Sequence, residues 1–165
     1  MPLELLVIWG LCGTFGLFAA GALASLLFDA RKDSETASIA AHGLAALGGL
    51  SGLGLSIVVL FSGETLALQS SLDIGIASDI LHLRVDALAA FFIMVISAVA
   101  LAASVYGIGY QKQFYGIYRS GHFGFFYNIF LASMVLVVVA NNALLFLFAW
   151  EMMAIVSYFL VVYER

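Results

Sequence analysis

Apolar residues run along the chain in long blocks, and short polar stretches separate them. A membrane-crossing helix needs about 20 such residues in a row. The first block runs from Leu3 to about Phe28 and ends at Asp29-Ala30-Arg31-Lys32-Asp33-Ser34-Glu35. The second runs from about Ser38 to Phe61, and the third from Asp86 to about Tyr110. Gln111 to His122 is polar, the fourth block runs from Phe123 to Ala140, and Asn141-Asn142 reads as a tight turn before the fifth, Ala143 to about Tyr163. Periodicity does not decide between helix and strand here, because the blocks are apolar all round. Lipid decides it. It offers no partner to an open backbone, so each block is expected to be a helix. The pattern predicts an all-α membrane protein forming a single membrane domain over residues 1–165, with about five transmembrane helices.

Composition strengthens that reading. Hydrophobic residues make up 64% of the chain and charged residues 10%, with a mean hydropathy of +1.13. Soluble domains carry about 25% charged residues, so a soluble enzyme is excluded. The net charge is -4 and the six basic residues form no patch, which argues against nucleic acid as a partner. The single cysteine, Cys12, lies inside an apolar block and reads as packing. The start, Met1-Pro2-Leu3-Glu4, carries an acid where a secretory signal would carry base, so the first span is expected to be permanent.

Charge also suggests an orientation. If the spans alternate, Arg31, Lys32, Lys112, Arg119 and Arg165 share one side, and Arg84 lies on the other. Basic residues favour the cytoplasmic side. The expected arrangement is N-terminus outside and C-terminus cytoplasmic, in a plasma membrane. On the outer side, Leu72 to Ile76 and Leu81 to Asp86 alternate with period two, which predicts a β-hairpin over 72–85; a loop lying on the headgroups is the alternative. Asp86 is placed to cap the third span. Gly48 and Gly52 have the spacing that lets helix backbones approach closely.

The most informative residue is Glu151, an ionisable group inside a span and about nine residues from its start. An acid near the midplane costs about 3 kcal/mol to insert. A carboxyl held away from water can bind and release a proton, as a relay requires. Equal steps back from the Asn141-Asn142 turn put Ser133 at the depth of Glu151, as a hydrogen-bond candidate. Tyr158 lies two turns further along the stripe, roughly 10 Å away. Trp150 is a candidate wall of the carboxylate's pocket. The bland alternative is a protonated Glu151 that only hydrogen-bonds a neighbouring helix. His42 and His122 read as interfacial, and His82 as part of the hairpin.

Three stretches carry a resemblance. Val85-Asp86-Ala87-Leu88-Ala89-Ala90-Phe91-Phe92, Tyr106-Gly107-Ile108-Gly109-Tyr110, and Asn142 to Glu151 followed by Ser157-Tyr158-Phe159-Leu160 resemble the third and fifth spans of the antiporter-like proton-translocating subunits. That family is shared by respiratory complex I, multisubunit Na+/H+ antiporters and energy-converting hydrogenases. Tyr110 to Gly116 and Asn128 to Met134 look most like its hydrogenase-4 and formate hydrogenlyase branch. The resemblance implies that Glu151 matches the family's fifth-span glutamate, which pairs with a lysine on the seventh span at the mouth of a proton channel.

The chain departs from the pattern in having no seventh span, no intramembrane lysine, and Ala87 where glycine is usual. A fragment, or a split subunit completed by another polypeptide, is therefore expected. The implied role is proton transport in a redox-driven complex. Its partners would be other membrane subunits and the lipid bilayer, its cargo protons or Na+. The chain lacks the cysteines for iron–sulfur or nickel–iron centres, so no cofactor is expected in it, and redox chemistry falls to partner subunits. A subunit of a cation/proton antiporter and a non-transporting scaffold are the competing readings.

Overall fold

The computed structural model describes residues 3–30, 33–63, 65–69, 82–115 and 120–163. Five long helices dominate it: α1 (Leu3–Ala30), α2 (Ser34–Ser62), α3 (Ala87–Tyr110), α4 (Ser120–Val139) and α5 (Ala143–Val162). All five are long and apolar enough to cross a membrane. The chain is thus a multi-pass, all-α membrane protein. A 3-10 turn, Gln111–Phe114, extends α3.

Polar side chains set where the helices start. The Asp33 carboxylate accepts from the Thr36 backbone N–H at 3.0 Å and from its hydroxyl at 2.6 Å. It therefore starts α2 at Ser34, ahead of the apolar block. Asp86 caps α3 as expected, accepting from the Ala89 N–H at 2.8 Å. Asn142 caps α5 by accepting from the Leu144 N–H at 2.8 Å. Each cap satisfies a donor the helix cannot. α2 ends at Gly63, whose φ of +66° is the left-handed turn that glycine enters without strain.

α2 is the hub. It packs against α1, α3 and α4, while α4 also packs along α1 and α5. Lipid removes most of the hydrophobic drive for helix association, so close backbone approach matters. Gly48 meets the Phe18 ring of α1, and Gly49 meets the Ser97 carbonyl of α3. Val7, Leu11, Phe18, Ala45, Val59, Ile93, Val135 and Val139 fill the shared core. Leu23, Leu47, Val99 and Val105 lie on the outer surface, where lipid solvates them.

The hairpin expected over 72–85 is not supported. His82–Val85 (β2) pairs antiparallel with Leu66–Gln69 (β1), in the register Leu66 to Val85 and Gln69 to His82. The expected first strand, 72–76, lies outside the described residues. Val85 is fully buried, and β2 also bridges the α4–α5 turn through Leu83 and Ala140. The Asn141 N–H donates to the His82 carbonyl at 2.8 Å. β2 is thus tied to the helices as well as to β1.

Candidate functional site

α5 holds the carboxylate. Leu145, Ala149 and Val156 are its buried residues, spaced to form one face. That face meets α4, where Phe126 stacks on Phe159 at 4.9 Å between ring centres. Glu151 lies two positions past Ala149, on nearly the opposite side, and is exposed. Among the described residues no hydrogen bond or ion pair engages its side chain. Leu147 and Tyr158 share its stripe and are also exposed. One carboxylate thus stands in an otherwise apolar outward face.

The other expected site residues divide. Tyr158 keeps company with Glu151 on the stripe. Trp150 is exposed, and its ring meets Phe146 edge-on at 5.6 Å on the same helix. Ser133 is fully buried in α4. Its hydroxyl donates to the Phe130 carbonyl at 2.7 Å. The described contacts do not join Ser133 to Glu151, because the α4-facing side of α5 is not the side that bears the acid.

Chain comparison gives a consistent result. Over 116 residues, 70% of this chain, the sequence is 37% identical to hydrogenase-4 component B of Escherichia coli (strain K12). Over 79 residues, 48% of this chain, it is 38% identical to NADH-quinone oxidoreductase subunit L of Mycobacterium tuberculosis. Its homologues are antiporter-like membrane subunits. Subunit L of Neisseria meningitidis is 32% identical over 79 residues. No family profile matches the chain. The antiporter-like relatives are much longer: the aligned part spans 17% of component B and 12% of the mycobacterial subunit L.

A second polar group escaped sequence reasoning. At the end of the bundle that holds the α1–α2 and α3–α4 connections, the interior is polar. His42, expected at the interface, is 2% exposed. Asn128 is fully buried and its amide donates to the carbonyls of Ala41 at 3.1 Å and Gly124 at 2.9 Å. The Tyr127 and Ser104 hydroxyls are 2.9 Å apart. Nearer that end, Asp29 of α1 accepts from the Gly121 N–H at 3.3 Å and lies 3.5 Å from the His122 ring. An acid suits the first turn of α4, and it starts that helix at Ser120 rather than Phe123. The signal was present in sequence. Ser38 and His42, and Gly124 and Asn128, are spaced four apart, as neighbours on one helix face are.

Proposed function

We propose that this chain acts within a proton-translocating membrane subunit of a redox-driven complex of the hydrogenase-4 or formate hydrogenlyase type, with Glu151 as a proton relay. The observation that carries the reading is the position of Glu151. It lies midway along a 20-residue span, on the side of α5 turned away from α4. Left against lipid, an acid there costs about 3 kcal/mol. A basic group on another membrane segment offsets that cost, and making or breaking the pair moves a proton. Similarity to hydrogenase-4 component B supports the choice of complex. Tyr158 extends the path along the stripe, and Trp150 walls the carboxylate. Other membrane subunits supply the redox chemistry. The assembly sits in the plasma membrane, with the N-terminus outside and the C-terminus cytoplasmic, as the basic residues favour.

Glu151→Gln in the intact assembly tests the proposal. Redox-driven proton uptake by membrane vesicles is expected to fall by about a hundredfold or more, while the assembly still purifies whole in mild detergent. Unchanged proton uptake would overturn the relay and leave a scaffold role. Hydrogenase-type subunits should copurify; antiporter subunits alone would sink the redox assignment.

A further inference from the structure

The His42 ring sits inside the bundle between α2, α3 and α4, yet it is placed for more than filling space. Its Nδ1 is 2.8 Å from the Ser38 carbonyl. A carbonyl only accepts, so Nδ1 carries the hydrogen and Nε2 is the bare nitrogen of the neutral ring. Nε2 points to α3 at Gly107, where a Cβ would stand 2.5 Å from it. Only glycine leaves that nitrogen room. On the other side, the ring stacks on Tyr127 at 5.2 Å and on Phe123 at 6.0 Å between centres. The hydrogen bond described at the ring is the one at Nδ1.

Oγ of Ser38, Oγ of Ser120, Oδ1 of Asn128 and Oε1 of Gln111 are buried and have no partner among the described residues. Each lies within about one helical turn of a residue that touches His42 or its neighbour Ala41. Ser38 is one turn before His42 on α2. Gln111 is one turn past Gly107, Ser120 one turn before Phe123, and Asn128 bonds Ala41 directly. Buried polar groups without protein partners are the ordinary lodging of internal water, which makes about three bonds to such groups.

We propose that His42 is a proton-binding site inside the bundle, with Nε2 taking the proton from water that reaches it past Ser38, Ser120 and Gln111. The step is simple. A hydrated proton adds to the Nε2 lone pair, the ring becomes imidazolium with both nitrogens donating, and release returns the proton to water. The groups set against the ring are the Ser38 carbonyl from α2, Gly107 from α3, and Phe123 and Tyr127 from α4. None is charged, and Tyr127 is the titratable one. Among the described residues, the titratable and charged groups at this end are Asp29 and His122, which face each other, with Asp33, Glu35 and Lys112. The site does not depend on Glu151 and stands if that relay fails.

Deuterium uptake at the ring carbon between the two nitrogens tests it. That exchange requires water contact and varies with ring ionisation. Membranes holding the chain in its native assembly are incubated in heavy water from about pH 5 to pH 8, and the peptides are read by mass spectrometry. His122, whose side chain is 46% exposed, serves as the internal reference. A sigmoidal dependence of uptake at His42 on pH is expected. No uptake while His122 exchanges fully, or a rate flat with pH, would overturn the proposal and leave a sealed structural histidine.

Discussion

Asn128 ties α4 to α2 through its bond to the Ala41 carbonyl, and its Oδ1 faces Gly21 of α1. Interhelical hydrogen bonds in membranes contribute about 0.6 kcal/mol each on average. Asn128→Ala should lower the unfolding free energy of the purified assembly by about 1 kcal/mol, since it also removes packing. A denaturant midpoint that does not move would show the amide to be idle. Asp33 differs because it is exposed. Its bonds to Thr36 hold the carboxyl below its ordinary value of 3.8. A depressed carboxyl stabilises the folded state above the unfolded value, and that contribution is lost as pH falls through the folded one. The thermal midpoints of wild type and Asp33→Asn should therefore differ near neutral pH and converge in strong acid. Individual residues were unequally legible. The Asp86 cap could be read from an acid heading an apolar block. The depth of His42 could not, because neighbours, not the span's own pattern, decide whether a histidine eight residues past Ser34 meets lipid, water or another helix.

Between helices, the glycines of α2 separate into two kinds. At Gly49 an added Cβ would stand 3.0 Å from the Ser97 carbonyl and 3.3 Å from the Leu101 nitrogen, both backbone atoms that cannot turn aside. At Gly54 nothing lies within 4 Å. Gly49→Ala should destabilise the α2–α3 contact by about 1–3 kcal/mol, and Gly54→Ala should be neutral or slightly stabilising. Thermal midpoints of the two variants side by side decide this; equal shifts would contradict the packing. The Gly48–Gly52 spacing announced close contact but not its partners. Gly48 meets Phe18 of α1, whereas Gly52 meets Ser97 and Ile93 of α3. A spacing rule describes one helix, and the identity of what fills the groove belongs to the assembled bundle.

For the whole molecule, five long apolar helices were legible from block length alone, because lipid leaves the backbone no other solution. The pairing of β2 with β1 was not. It joins residues on either side of the segment 70–81, and its register depends on where α2 ends and α3 begins. The outward face of α5 sets a test at this scale. A photo-crosslinking residue at Leu147, one turn before Glu151, should couple to a polypeptide segment in native membranes; coupling to lipid alone would mean the acid faces the bilayer. The bond from the Asn141 N–H to His82 and the Asp86 cap together pin the starts of α5 and α3 to one strand. Sliding α5 along its axis would break that tie, whereas swinging it need not. A swing pivoted at Asn142 carries Glu151 on an arm of about 13 Å and Val162 on one of about 30 Å. In such a swing the far end of the helix would travel more than twice as far as its carboxylate, and the ring contacts of Phe159 with Phe126 and of Tyr163 with Phe123 are the first that the motion would break.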